Sequence, residues 1–210
     1  MANIYLIRHG KVSGAPALYG HTDVSVECHT QCVLAEKVEA KFSFSHVVTS
    51  PLIRCSELAK QLVERNSELS LHVAPEFMEM NFGDLDGVPF EELDQLGDTL
   101  DAFSRSPIDS PLPNGETLSV FYDRVIRAWQ RLVQNTHEDT LLITHGGVIR
   151  VILAHTLKMN WKAPELYQRL QIANASVTHL ETLPKFDGWV TVKSIGLSLT
   201  DIAPNIGDYH

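Results

Sequence analysis

Four short stretches hold side chains that can do chemistry near neutral pH at the ends of apolar elements or in a loop: Arg8-His9-Gly10, Arg54, Glu79, and His145-Gly146. A histidine can act as nucleophile or proton carrier, and an arginine brings a permanent charge whose fork grips phosphate oxygens. A carboxyl among apolar neighbours suits a general acid, because such surroundings and a nearby phosphate dianion favour the protonated form of a carboxyl. Two arginines, two histidines and one acid form a set suited to phosphoryl transfer, provided the fold brings them together.

The elements that must position them can be read from the apolar pattern. Ile4-Tyr5-Leu6-Ile7 is apolar on both faces, as in a central parallel strand covered on both sides. It ends in Arg8-His9, beyond the carboxyl end of a strand, where ligands bind in open α/β sheets, and Gly10 lets the chain turn away. Thr140-Leu141-Leu142-Ile143-Thr144 repeats the pattern and ends in His145, followed by a Gly pair that opens an apolar helix. If these strands are neighbours, His9 and His145 share one crevice.

Between them, Lys11 to Thr22 is a Gly- and Pro-containing loop, and residues 27–42 have helical spacing through Val33, Leu34, Val38 and Phe42. His46-Val47-Val48-Thr49 reads as a short strand. Ser50 as N-cap and Pro51 at the first position then start a helix whose early turn carries Arg54 toward the strand ends, where the helix dipole adds to an anion site. A strand at 71–74 precedes four acids, Glu76, Glu79, Asp84 and Asp86, of which Glu79, between Met78 and Met80, is best placed as the acid. Asp84 and Asp86 read as turn-capping residues rather than a Mg²⁺ pair, since no third ligand or phosphate loop accompanies them. Cys28, His29 and Cys32 lack the second matching pair of a zinc site and read as ordinary helix residues.

Residues 88–113, acidic and then broken by Pro107, Pro111 and Pro113, have the character of an insertion over a site. A long helix opens at Asn114-Gly115-Glu116 and runs to about Gln134. Residues 175–183 and 189–195 read as two β-segments around Asp187-Gly188, and a tail with Pro204 and Gly207 as irregular.

At 210 residues, with 44% hydrophobic and 20% charged, the chain suits one globular domain. The net charge of −9 argues against general affinity for nucleic acid or an anionic membrane, so an anionic small substrate needs a local basic site. No run approaches a membrane span, no secretory signal pattern opens the sequence, and three sparse cysteines read as reduced thiols; a cytoplasmic location is the expectation.

In order, Arg8-His9-Gly10, Ser50-Pro51-Leu52-Ile53-Arg54-Cys55, Glu79 with Phe82-Gly83, and Thr144-His145-Gly146 resemble the four signatures of the histidine phosphatase, or phosphoglycerate-mutase-like, family. The resemblance implies a three-layer α/β/α sandwich with a mostly parallel central sheet, a single domain over residues 1–210 and a substrate-capping stretch at 88–113. It implies a metal-independent phosphomonoesterase without cofactor, acting on a small phosphorylated substrate. His9 would be the nucleophile, Glu79 the acid and base, Arg8, Arg54 and His145 the oxygen-holding groups, and Gly146, Tyr19 and Gly20 further substrate contacts. The stretches 75–84 and 113–116 most resemble the α-ribazole 5′-phosphate phosphatases of cobalamin nucleotide-loop assembly.

Where the family commonly has Glu-Thr and then Asn, this chain has Lys11-Val12-Ser13-Gly14-Ala15, and Val26-Glu27-Cys28-His29-Thr30 replaces the usual Leu-Thr-x-x-Gly. These departures bear on specificity more than on phosphoryl chemistry. A phosphoglycerate mutase, a broad-specificity phosphatase and a non-catalytic phospho-ligand binder are the alternatives. The sequence does not fix the oligomeric state.

Overall fold

The computed structural model describes residues 1–93, 96–183 and 188–199. Asp94, Asp187 and the tail with Pro204 and Gly207 lie outside the described residues. The elements run β1 (Ala2–Arg8), α1 (Cys28–Lys41), β2 (His46–Thr49), α2 (Ile53–Arg65), β3 (Ser70–Val73), α3 (Gly97–Arg105), α4 (Leu118–Asn135), β4 (Thr140–Thr144), α5 (Gly146–Thr156), α6 (Pro164–Arg169), β5 (Ser176–Leu183) and β6 (Trp189–Ser198). Three 3-10 turns, Pro75–Phe77, Gly83–Leu85 and Phe90–Glu92, lie between β3 and α3.

One six-stranded sheet has the order β3-β2-β4-β1-β5-β6. The first four strands are mutually parallel; β5 runs antiparallel to β1, and β6 antiparallel to β5. Alternation along β1 divides the core in two. Ile4 and Leu6 face a cluster built on α4 and α5, including Phe121, Trp129, Ile149 and Ile152, whereas Tyr5 and Ile7 face α1 and α2 through Leu34, Val38, Leu58 and Leu62. This is the expected α/β/α sandwich. β1 and β4 are buried on both faces, which is why their sequences show no polar alternation.

Register fixes the site. Arg8 pairs with Thr144 and Thr49 with Ile143, so β1, β4 and β2 end at one level. His9, Ser50 and His145 each follow one of these strands directly. The His9 amide donates to the Thr144 carbonyl (3.0 Å) and the Ser50 amide to the Ile143 carbonyl (3.0 Å), which prolongs the ladder by one residue.

A small satellite cluster, Leu85, Leu93 and Leu112, packs with Phe82, Leu100 and Phe103, joining residues 88–113 to the acidic loop. The acidic stretch itself behaves as turn chemistry. Asp86 accepts from the amides of Gly20, His21, Thr22 and Phe82, and Asp84 accepts from the Asn114 amide group. Burial works against the Asp86 charge, but hydrogen bonds from Thr22, His21 and Phe82 outweigh it and hold the carboxyl below its usual range.

Candidate active site

The structure brings His9, His145, Arg8, Arg54, Glu79 and Gly146 to the carboxyl ends of β1 and β4. The two imidazoles lie with ring centroids 5.2 Å apart, tilted by 60°. His9 is only 7% exposed, and its Nδ1 lies 2.7 Å from the Gly10 carbonyl. A carbonyl can only accept, so Nδ1 carries the proton and the neutral ring keeps its lone pair on Nε2. Burial first, then the Arg54 charge, pushes the His9 pKa down to about 3, against the Gly10 carbonyl and with help from Arg8. The imidazole is therefore neutral across the physiological range.

His145 shows the opposite tautomer. Arg54 Nε donates to its Nδ1 at 3.3 Å, which leaves Nε2–H to donate to Ser50 Oγ at 2.8 Å. Burial, reinforced by His9 and the surrounding arginines, holds its pKa well below the ordinary histidine value. The Cys55 sulfur packs 3.6 Å from the same ring, and burial pushes that thiol up, far from nucleophilic use.

Arg8 donates through Nη1 to the Ile172 carbonyl at 2.6 Å, while its Nε is buried with no partner among the described residues. Burial opposes this charge most, Glu79 supports it, and Arg150 and Arg54 repel it. A cation so placed, with a free buried donor, gains from an anion in the crevice.

Arg54 is fully buried at the start of α2, and its guanidinium also donates to the carbonyls of Thr22, Tyr19 and Gly20. Tyr19 and Gly20, expected as substrate contacts, thus meet the site through carbonyls that fix Arg54. Their other hydrogen bonds are also internal: Tyr19 donates its hydroxyl to the Ala15 carbonyl, and the Gly20 amide donates to Asp86. α2 begins at Ile53, not at Ser50. Ser50 Oγ serves His145, and the oxygen that caps the Ile53 amide, at 2.7 Å, belongs to Asp23.

Glu79 faces the start of α5. Its carboxylate accepts from its neighbour Met80 through Oε1 and from the Gly147 amide through Oε2, both at 3.0 Å. The second bond places the acid at the N-terminus of α5, directly after His145. Beside it opens a cavity of about 250 Å³, walled by Leu18, Phe82, Leu100, Phe103, Phe121 and Tyr167, with Glu79, Ser104, Arg150 and Gln168 among its polar members. A larger groove of about 530 Å³ between α4, α5 and the start of β6 touches none of these groups.

The site also uses a segment and two arginines that sequence reading passed over. Residues 170–175 supply main-chain anchors: Leu170 O accepts from Arg150 and Ile172 O from Arg8. The Ala175 amide donates to the carbonyls of Arg8 and His9, while the Asn174 side-chain amide donates to those of His9 and Gly10. Arg124, on α4, binds the loop that carries Glu79.

A family profile described as histidine phosphatase superfamily (branch 1) matches residues 4–193. The chain belongs to this superfamily. This histidine phosphatase is similar to a Bacillus subtilis protein described as the uncharacterized phosphatase PhoE, at 27% identity over 186 residues, covering 86% of this chain and 89% of that protein. It is also similar to the adenosylcobalamin/alpha-ribazole phosphatase of Escherichia coli, at 28% identity over 165 residues, covering 74% of this chain and 79% of that protein. Its fold matches the crystal structure of the alpha-ribazole phosphatase from Shigella flexneri with a TM-score of 0.78, 23% identity, and coverage of 93% of this chain and 96% of that one. Family and relatives make the chain a phosphatase. Among the described residues of this histidine phosphatase, no helix is long and apolar enough to cross a membrane.

Proposed function

We propose that this phosphatase hydrolyses α-ribazole 5′-phosphate to α-ribazole through a phosphohistidine on His9. The observation that carries the chemistry is the locked tautomer of His9: Nδ1–H held by Gly10, Nε2 unprotonated, and a pKa near 3 that keeps the ring neutral. A neutral imidazole with a fixed proton needs no base before it attacks.

Nε2 forms a bond to phosphorus as the ester P–O bond breaks, and Glu79 gives its proton to the departing alkoxide. Glu79 then takes a proton from water, the water oxygen bonds to phosphorus, the P–N bond breaks, and phosphate leaves with His9 neutral again. Arg8 offers its unpartnered Nε–H to a non-bridging oxygen, and the Gly146 amide sits at the α5 N-terminus where negative charge is favoured. Arg54 adds charge and sets the tautomer of His145, which reaches a phosphate oxygen by exchanging its Ser50 contact. Tyr19 and Gly20 take part by holding Arg54. This cationic set supplies charge that balances the loose transition state.

The choice of α-ribazole 5′-phosphate, and with it a place in cobalamin nucleotide-loop assembly, is supported by the likeness to an adenosylcobalamin/alpha-ribazole phosphatase and by the cavity beside Glu79. Its aromatic and aliphatic walls suit an aromatic base, and Arg150 and Gln168 suit ribose hydroxyls. Residues 88–113 act as the cap, since Leu100, Phe103, Ser104 and Pro107 form one wall of that cavity.

The test is phosphate release in EDTA from α-ribazole 5′-phosphate, 3-phosphoglycerate, common nucleotides and an aromatic phosphate, with His9→Ala as control. We expect α-ribazole 5′-phosphate to be preferred and His9→Ala to lose on the order of 10⁴-fold in kcat. Conversion of 3-phosphoglycerate to 2-phosphoglycerate would make the protein a mutase; ligand affinity without turnover would make it a binding module. Full activity in His9→Ala would overturn the mechanism itself.

A further inference from the structure

Glu79 lies on a loop between two 3-10 turns, in a stretch that pairs with no strand. Three of its carbonyls nevertheless converge on one side chain. Arg124 Nη1 donates to the carbonyls of Glu76 (2.8 Å) and Met78 (2.9 Å), and Nη2 to that of Glu79 itself (2.8 Å). The other edge of the guanidinium grips Glu116 in bidentate fashion, Nε to Oε1 at 2.7 Å and Nη2 to Oε2 at 2.8 Å. These five bonds use all five N–H groups that a guanidinium has.

Glu116 closes the arrangement. Its amide donates to the Asn81 carbonyl (2.9 Å), and its Oε2 receives the Asn81 amide (3.4 Å). The Arg124 and Glu116 side chains are 22% and 11% exposed, and the guanidinium rests 4.9 Å from the centre of the Phe121 ring, so neither can leave without stranding its partner. Residues 76, 78 and 79 are thus tied through one planar fork to α4, a rigid element with its own buried face, and residue 81 is tied to Glu116, which the same fork grips. A lysine has three donors around a point charge and cannot reproduce that pattern.

We infer that Arg124, clamped by Glu116, is the positioning residue that sets where Glu79 holds its proton. The inference rests on the reading of Glu79 as general acid. It separates Arg124 from a residue that merely supports the fold, because an acid matters only when the leaving group needs a proton. An alkoxide of high pKa needs one, and p-nitrophenolate does not.

The experiment measures kcat/KM, which reports the steps through departure of the leaving group, for Arg124→Lys, Glu79→Gln and the double variant. The substrates run from p-nitrophenyl phosphate through phenyl phosphate to glycerol 3-phosphate and α-ribazole 5′-phosphate. Arg124→Lys is expected to lower kcat/KM about 10²-fold for the alkyl esters and less than about 5-fold for p-nitrophenyl phosphate. The double variant should be no worse than Glu79→Gln on the alkyl esters, since both changes disable one proton transfer. Equal losses across the series, or independent losses in the double variant, would overturn the positioning role.

A flat series for Glu79→Gln itself would instead remove the general-acid reading, a distinguishable failure. Should Arg124→Lys not fold, Glu116→Gln keeps the fork and its carbonyl contacts but removes the clamping charge. Its losses should also grow with leaving-group pKa, but over a smaller range, and a flat series there would overturn the inference.

Discussion

His9 is 7% exposed and faces the Arg54 charge, and the burial that lowers its pKa couples its protonation state to folding stability. In the unfolded chain a histidine takes up a proton near pH 6.5, whereas the folded His9 does so only near pH 3. Between those values the unfolded state binds more protons, so stability falls as pH falls, by about 1.4 kcal/mol per pH unit for such a group. His145 acts in the same direction, since its pKa is also depressed by burial. Urea unfolding of the wild type and His9→Gln between pH 7 and 4.5 should therefore give a shallower pH dependence for the variant, by roughly 1.4 kcal/mol per unit. Parallel curves would show that His9 protonates in the fold as it does in the unfolded chain. The same depressed pKa keeps protonation of His9 from setting the acid limb of kcat/KM above about pH 4.

The start of α5 shows how an element carries a demand that no motif explains by itself. Its second residue, Gly147, donates to Glu79 Oε2, and a Cβ there would overlap Oε1 of the same carboxylate. The obstacle is the far end of a flexible side chain, so alanine fits the backbone once Glu79 swings away. Gly147→Ala should keep its Tm within a few degrees of wild type and lose at least about tenfold in kcat/KM on α-ribazole 5′-phosphate, as a displaced general acid requires. A large drop in Tm with normal activity in the folded fraction would place the demand on the helix instead. Gly83 differs: at φ +57°, a Cβ would overlap the Pro113 carbonyl, which cannot move aside cheaply. Element boundaries were legible only where the signal was local. α4 begins at Leu118 under a Thr117 cap rather than at 114–116, because Glu116 is drawn off to Arg124. α2 begins late because its capping oxygen comes from Asp23, thirty residues upstream, which no pattern around Ser50 announces.

At the scale of the whole molecule, two apolar runs that each end in histidine announce two central strands, but only the parallel β1–β4 pairing makes them neighbours. Spacing cannot state which strands pair, and the sequence reading left that adjacency open. The segment 170–175 was invisible for another reason: Leu170, Ile172 and Ala175 serve the site through main-chain atoms, which leave no trace in residue type. Long-range packing also decides what sits beside the acid. Residues from the loop after β1, the acidic loop, α3, α4, α5 and α6 meet in one cavity whose largely apolar wall is interrupted by Glu79, Ser104, Arg150, Tyr167 and Gln168. Phe103 of α3 supplies one wall and is not among the groups proposed to hold the phosphoryl oxygens. If that cavity receives the aromatic part of the substrate, Phe103→Ala removes contact worth about 1–2 kcal/mol, and kcat/KM for α-ribazole 5′-phosphate should fall roughly tenfold. Competitive inhibition by inorganic phosphate, which occupies only the crevice at the strand ends, should stay within about twofold of wild type. Weakening of both together would mean that α3 shapes the phosphate site, while loss of neither would mean that the leaving group lies elsewhere and that residues 88–113 do not cap it.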